Sequence, residues 1–117
     1  MTHKELHDYL LSLPNAWLDF PFGEDTSVYK IGHKETGGGK MLALVSDTLK
    51  PVRLSLKCDP QLAERLRETY ETVLPGYHLS KKHWNTIIMT GQVPDDELKS
   101  LIQISYNLVV GAESEEE

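Results

Sequence analysis

Residues 51–57, PVRLSLK, alternate apolar and polar side chains in the way that a strand with one buried face requires. Val52, Leu54 and Leu56 fall on one face of such a strand, and the polar residues between them fall on the other. The pair Asp59-Pro60 follows almost at once, and it is typical of a helix with an Asp N-cap and Pro as its first residue. This stretch therefore predicts a half-buried strand that leads into a helix.

The other elements are predicted from apolar spacing and from the residues that begin or end helices. Thr2 and Glu5 form a capping box ahead of apolar residues at helical spacing, which predicts a first helix over residues 3–13. A last helix is predicted from the Val93-Pro94 pair to Gly111. Three further strands are predicted at residues 27–31, 41–45 and 84–89.

The order of these elements is helix, three strands, helix, one or two strands, helix. Short connections between consecutive strands favour antiparallel pairing. We therefore predict an α+β fold, a two-layer sandwich with an antiparallel β-sheet and helices packed on one face of it.

Two segments between these elements have a distinctive composition. WLDFPFG, residues 17–23, is interpreted as an aromatic loop that ends at Gly23 and plugs one end of the core. HKETGGGK, residues 33–40, joins two predicted strands, and its three glycines predict a flexible hairpin tip. It does not fit a phosphate-binding loop, because Lys40 is followed by Met rather than by Ser or Thr.

Length and composition predict one globular domain. With 117 residues, 39% hydrophobic residues and a mean hydropathy of −0.38, the chain is expected to form a soluble domain over residues 1–111. The acidic residues 112–117 are expected to form a disordered tail. No apolar run approaches the length of about 20 residues that a membrane span needs, so we expect no membrane partner, and we expect a monomer.

The number of cysteines limits the disulfides and metal sites that the chain can form, and it bears on the cellular compartment. Cys58 is the one cysteine, which excludes an internal disulfide and a metal site made of cysteines alone. The N-terminus has no apolar leader, and together these features predict a cytoplasmic protein.

The charge is unevenly distributed along the chain, although the net charge is −6. Residues 1–29 carry one Lys and five acidic residues, a net charge of −4. Residues 30–82 carry ten Lys or Arg and six acidic residues, a net charge of +4. Residues 83–117 carry one Lys and seven acidic residues, a net charge of −6. This pattern permits a local anion-binding face, but accidental segregation would produce it equally well.

The sequence gives little support for a metal site or for catalytic residues. His3 and His7 have a helical spacing that suits a metal, but no second pair of ligands accompanies them, so we predict no metal and no cofactor. Cys58 precedes a helix, where a thiol pKa can be lowered, and would need His78 or His83 nearby to act as a nucleophile. A single cysteine without a local motif is usually inert, so we predict no catalytic residues.

Residues 75–87, PGYHLSKKHWNTI, place cations beside aromatic rings, a combination that serves phosphate contact and base stacking. An ordinary solvated turn before a core strand that begins at Trp84 is the competing interpretation. The predicted nucleic-acid or ligand-binding residues are Arg53, Lys57, Tyr77, His78, Lys81, Lys82 and His83.

Several segments resemble the MmcQ/YjbR family of small bacterial proteins: SLKCDPQLAERLRE, PGYHLSKKHWNTI, VPDDELKSLIQISYNLV, FPFG and GGKMLALV. The resemblance covers the chain up to about residue 110. It implies a compact sandwich similar to the frataxin/CyaY type. It also implies DNA binding through a "double wing" arrangement of the sheet, and one namesake belongs to a mitomycin resistance cluster. The longer HKETGG hairpin departs from the family pattern and leaves the length of a wing there open.

Two classes of function therefore remain open. The first is a non-enzymatic DNA-binding protein that uses a basic face of the sheet and the segment 75–87. The second is a small-ligand or protein-binding domain that holds an aromatic drug or an anionic metabolite in a groove. The aromatic residues that would line this groove are Trp17, Phe22, Tyr77 and Trp84. An enzyme that uses Cys58 and a histidine is a third, weaker alternative.

Overall fold

The computed structural model describes residues 1–32, 38–46, 48, 50–76 and 79–115, with side chains up to residue 111. Three helices and six strands lie within these ranges. In chain order they are α1 (His3–Leu11), β1 (Ala16–Asp19), β2 (Thr26–Ile31), β3 (Lys40–Ser46), β4 (Arg53–Lys57), α2 (Pro60–Thr69), β5 (Val73–Pro75), β6 (Trp84–Ile88) and α3 (Asp95–Glu115).

The strands form a single antiparallel sheet in the order β1-β2-β3-β4-β6-β5. β6 lies between β4 and β5, with Leu54 opposite Ile87 and Val73 opposite Ile87 on its other side. A bulge between β2 and β3 falls at Leu42, because Tyr29 pairs with Ala43 whereas Lys30 pairs with Met41. The predicted antiparallel sheet is confirmed.

All three helices pack on one face of this sheet. α1 reaches that face through a hydrogen bond of 2.8 Å between His7 and Tyr29, and α2 reaches it where the carbonyl oxygen of Ala63 accepts from Asn85 at 3.1 Å. α3 adds the fully buried Ile102 to the same core. Paired residues that project from this face form a row across four strands: Tyr29, Ala43, Leu56 and Asn85. The predicted two-layer α+β sandwich is therefore confirmed.

β4 shows the alternation that its sequence predicts. Leu54 and Leu56 are buried beneath the helices, whereas Arg53 and Lys57 are half-buried on the face away from the helices. Ser55 on that outer face is also buried, and its hydroxyl lies 2.8 Å from that of Thr86 on β6. This pair satisfies two buried hydroxyls within the outer face of the sheet.

The prediction that residues 17–23 plug the core is wrong. The first half of this segment is β1, which pairs with β2 and places Trp17 where its indole N–H donates to the carbonyl oxygen of Gly32 at 2.8 Å. Phe20 and Phe22 then fall in the β1–β2 turn, where they are 47% and 62% exposed. β1 ends at Asp19, so both phenylalanines lie beyond the paired part of the strand, in the turn that connects it to β2.

The helix ends differ from the predicted ones. The capping box at Thr2 is confirmed, but α1 ends at Leu11 rather than at residue 13. α3 continues past Gly111 to Glu115, so the predicted end at Gly111 is wrong. Glycine ends a helix reliably only where it takes a left-handed conformation, and Gly111 is not among the glycines with positive φ. No helix in the described part of the chain is long and apolar enough to cross a bilayer.

Candidate functional site

The structure brings four of the predicted binding residues to one end of β4 and β6. Lys57, the last residue of β4, pairs with Trp84, the first residue of β6. His83 precedes Trp84, and its carbonyl oxygen accepts from the backbone N–H of Cys58 at 2.7 Å. Lys81 and Lys82 directly precede His83 in the turn that leads into β6. Lys57, Lys81, Lys82 and His83 are together termed the basic corner.

The turn that carries Lys81, Lys82 and His83 is fixed by backbone hydrogen bonds. The backbone N–H groups of His83 and Trp84 both donate to the carbonyl oxygen of Ser80, at 3.2 and 2.9 Å. The N–H of Gly76 donates to the carbonyl oxygen of Trp84 at 2.9 Å. A Cβ atom at Gly76 would lie 2.7 Å from the Cβ of Trp84, so only glycine permits this close approach. The Nζ of Lys81 donates to the carbonyl oxygen of Gly76 at 3.2 Å.

The side chains of the basic corner are at least partly accessible to solvent. Lys81, Lys82 and His83 are exposed, and Lys57 is half-buried. Ion pairs between described residues include those that join Lys4 to Asp8, Lys30 to Asp19 and the N-terminus to Asp95. None of these pairs involves the basic corner, so its lysines have no carboxylate within ion-pair distance among the described residues.

Arg67 of α2 belongs to the surroundings of this corner, although it is not among the predicted site residues. Its Nη1 donates to the carbonyl oxygen of Lys81 at 3.2 Å and to the Oδ1 of Asn85 at 2.7 Å. Arg67 lies one helical turn after Ala63, so both residues are on the face of α2 that contacts Asn85. This shared face is the sequence signal that could have identified Arg67. No local sequence pattern indicates that α2 packs against β6.

Arg53 does not join the basic corner. It shares the outer face of β4 with Lys57, but it lies four residues away at the other end of the strand, roughly 13 Å along the sheet. Its neighbours there are Ser46 and Ile88. The predicted site residues Tyr77 and His78 lie outside the described residues.

Cys58 does not have the environment of a nucleophile. The residue is 5% exposed, and burial raises the pKa of its thiol, with a further contribution from the Asp59 carboxylate. Its contact with His83 is made by the backbone, and the described part of the chain shows no hydrogen bond between the thiol and the imidazole. A thiol in this state stays protonated at neutral pH, the opposite of what nucleophilic catalysis requires.

The tryptophans do not form one groove. Trp17 lies on β1 and Trp84 on β6, and the three strands between them place the two residues roughly 19 Å apart across the sheet. Trp84 is buried, as predicted, but it lies on the outer face opposite Lys57 and beneath Gly76, outside the main core cluster. The predicted aromatic groove is therefore not assembled from this pair.

Comparison with known proteins decides the family. The YjbR family model matches residues 11–108, which is most of the chain. The chain belongs to the YjbR family. Among its YjbR-family relatives, YbdF of Escherichia coli O157:H7 is 35% identical over 114 residues, covering 94% of this chain and 88% of the relative. YjbR of Escherichia coli K12 is 32% identical over 116 residues, covering 99% and 93%.

Solved structures agree with this YjbR-family fold. The Deinococcus radiodurans protein DR2400 superposes with a TM-score of 0.86 at 41% identity, covering 92% of this chain and 78% of that one. A Pseudomonas syringae protein superposes with a TM-score of 0.77 at 26% identity, covering 93% and 99%. The names of these relatives state no activity, so the function has to be argued from the site.

Two cavities lined by described residues of this YjbR-family protein are small. A cavity beside Cys58 and Leu66 has a volume of about 10 Å³, which is room for one water molecule at most. A second cavity, between Asp95 and the end of β6, has about 40 Å³. Typical small-molecule sites hold about 300–1,000 Å³. The described residues contain no group of three or more His, Cys, Asp or Glu side chains that could hold a metal ion.

Proposed function

We propose that this YjbR-family protein is a non-enzymatic nucleic-acid-binding protein that contacts phosphates with the basic corner. The supporting observation is that Lys57, Lys81 and Lys82 meet at one end of the sheet without a carboxylate partner among the described residues. Lysine binds phosphate as a point charge and requires no bidentate geometry. Two such side chains on a defined turn, beside a third at the end of β4, are suited to the backbone of a nucleic acid.

The net charge of −6 does not prevent local binding. At physiological salt, exposed charges more than about 8 Å apart are largely screened from one another. The acidic residues cluster in the two ends of the sequence, whereas the basic corner belongs to the segment around residues 30–83. Screening therefore leaves the corner positive at short range, while distant acids reduce long-range attraction. The expected affinity is modest.

Arg53 extends this surface along the outer face of the sheet. Its separation from Lys57, roughly 13 Å, is similar to the width of the DNA major groove, about 12 Å. A duplex that lies across this face can therefore offer phosphates to both ends of β4. The alternative of an aromatic small molecule is less favoured, because Trp17 and Trp84 are on separate strands.

The test is fluorescence anisotropy of labelled duplex and single-stranded DNA at about 50 and 200 mM salt. If three phosphates are neutralised, each contributing a slope of about −0.9 in log–log form for duplex, the wild type loses affinity roughly 40-fold over this range. Lys81→Glu/Lys82→Glu is expected to abolish binding.

The matched control is Lys4→Glu/Lys99→Glu, which changes the net charge equally but alters exposed lysines on α1 and α3. It is expected to retain binding within a few-fold. Absence of wild-type binding at 50 mM salt contradicts the proposal. Equal losses in both double variants would show that net charge, rather than the basic corner, determines binding.

A further inference from the structure

We infer that Arg67 is a positioning residue for the basic corner: it fixes the turn that carries Lys81 and Lys82 and is not itself a phosphate ligand. This role in binding rests on the proposed function. The positioning contact itself is independent of any ligand and can be measured in the free protein.

One nitrogen atom of Arg67 connects three segments of the chain. Nη1 donates to the carbonyl oxygen of Lys81 at 3.2 Å and to the Oδ1 of Asn85 at 2.7 Å. Asn85 is 3% exposed, and its Nδ2 donates to the carbonyl oxygen of Ala63 at 3.1 Å. α2 is therefore bonded both to the start of β6 and to the turn before it. No other described side chain donates to the backbone of Lys81.

Arg67 and Lys57, the proposed phosphate-binding lysine of β4, lie on opposite faces of the sheet. Asn85 pairs with Leu56 and projects towards the helices, whereas Lys57 pairs with Trp84 and projects from the opposite face. The Nη1 atom that binds Asn85 is therefore on the helix side of β6. A nucleic acid on the outer face meets Lys57, and Arg67 acts on it through the backbone of Lys81.

The length and planarity of the guanidinium suit this contact. Both bonds come from Nη1, whose N–H directions are fixed by the guanidinium plane, whereas a lysine side chain is one bond shorter and its ammonium rotates, so it holds these two acceptors less well. Without the guanidinium, the buried Oδ1 of Asn85 loses the donor that satisfies it. The turn then loses its connection to α2 at Lys81, and its lysines sample more orientations.

Arg67→Lys separates positioning from charge. It keeps the positive charge but shortens the side chain and removes the planar group that holds Nη1 against both acceptors, so it is expected to weaken DNA binding roughly tenfold, as much as Arg67→Gln does. A phosphate ligand would behave differently: Arg67→Lys would bind like the wild type, and only Arg67→Gln would lose affinity. Arg65→Lys and Arg65→Gln, at an exposed position on the same helix, are the matched controls and are expected to bind within about twofold of the wild type.

Hydrogen exchange in the free protein provides the second readout. The amides of His83 and Trp84, which donate to Ser80, are expected to exchange several-fold faster in Arg67→Lys than in the wild type, with no change in Arg65→Lys. Unchanged exchange of both amides overturns the inference, and so does wild-type affinity of Arg67→Lys. If the wild type binds no DNA, the proposed function fails, and the exchange rates alone decide whether Arg67 positions the turn.

Discussion

The hydroxyl of Ser105 donates a hydrogen bond of 2.7 Å to the carbonyl oxygen of Leu42. The same hydroxyl oxygen accepts from the backbone N–H of Lys57 at 3.1 Å, and Ser105 is fully buried. Leu42 is the unpaired residue of the β2–β3 bulge, and Lys57 ends β4. One side chain of α3 therefore satisfies two backbone groups that the sheet leaves open.

Ser105→Ala is expected to lower the free energy of unfolding by about 2–3 kcal/mol, because it leaves buried backbone groups without a partner. Denaturant unfolding measures this loss. Ser100→Ala is the control in the same helix, since the exposed Ser100 hydroxyl bonds, within the described part of the chain, only to the carbonyl oxygen of Asp96. It should change stability by less than about 0.5 kcal/mol. Equal effects of the two changes would contradict a bridging role for Ser105.

Gly76→Ala is expected to destabilise the protein by about 1–3 kcal/mol through overpacking. The new Cβ atom would lie 2.7 Å from the Cβ of Trp84 and 3.2 Å from that of Leu79. Unfolding curves together with tryptophan fluorescence measure the displacement of Trp84, which should become more exposed. A variant with wild-type stability and fluorescence would show that the turn adapts freely.

Gly111→Ala is the matched control for Gly76→Ala. No heavy atom lies within 4 Å of a Cβ added at Gly111, and the residue is inside α3. Alanine is the better helix former by roughly 1 kcal/mol, so this change is expected to be neutral or stabilising. A clear loss of stability would contradict the continuation of α3 through Gly111.

Phe20→Ser and Phe22→Ser are each expected to change the free energy of unfolding by less than about 0.5 kcal/mol, because both side chains are largely exposed in the β1–β2 turn. A phenylalanine that plugged the core would cost about 3–5 kcal/mol when truncated. Thermal or denaturant unfolding distinguishes these values. A loss of several kcal/mol in either variant would show that the aromatic side chain packs inward.

The Cys58 thiol is expected to react slowly with alkylating probes at pH 8, because burial raises its pKa and shields its sulfur. Mass spectrometry of the native and the denatured protein compares the two rates, and denaturant should accelerate modification by orders of magnitude. Under the proposed function, Cys58→Ser is expected to leave the affinity for DNA unchanged. Rapid alkylation of the native protein below pH 7 would restore the case for a reactive thiol.

Asp19 is expected to contribute to the loss of stability in acid. The hydrogen bond from Lys30, at 2.9 Å, and the bond from the backbone N–H of Phe20 lower the pKa of the Asp19 carboxyl. A group with a lowered folded pKa stabilises the protein above its unfolded pKa of about 3.9, and this contribution is lost as the pH falls through the folded pKa.

Asp19→Asn should therefore reduce the free energy of unfolding at pH 7 and flatten its dependence on pH below about 4. Urea unfolding at several pH values measures both effects. Asp25→Asn changes an exposed carboxylate of the same turn and serves as the control. Parallel curves for the wild type and Asp19→Asn would mean that the bond to Lys30 does not persist in solution.

Several features of the fold could be predicted from the sequence because they depend on a few neighbouring residues. The capping box at Thr2 and Glu5 and the Asp59-Pro60 helix start are contacts within one turn, and both are present. The alternation along β4 follows from the period of a strand, and it placed Leu54 and Leu56 in the core. The family resemblance extended these local predictions to the order of the elements.

Features that depend on residues far apart in the chain could not be predicted from the sequence. β1 and β5 are edge strands of four and three residues, too short to show a period, and each exists because a neighbouring strand supplies its hydrogen bonds. Phe20 and Phe22 are exposed in the turn that follows the last paired residue of β1. A sequence window contains no information about which strand lies alongside.

The candidate site, too, could be predicted only in part from the sequence. The sequence identified Lys81, Lys82 and His83 as one cationic turn because they are adjacent, and alternation put Arg53 and Lys57 on one face of β4. Only the tertiary structure decided that Lys57 joins the turn while Arg53 lies at the far end of the strand, and that Arg67 of α2 braces the backbone of Lys81. Local sequence determines which residues can form an element. Packing between segments that are 14 to 94 residues apart determines which residues come together, as in the bond from Arg67 to the backbone of Lys81 and the ion pair between Met1 and Asp95.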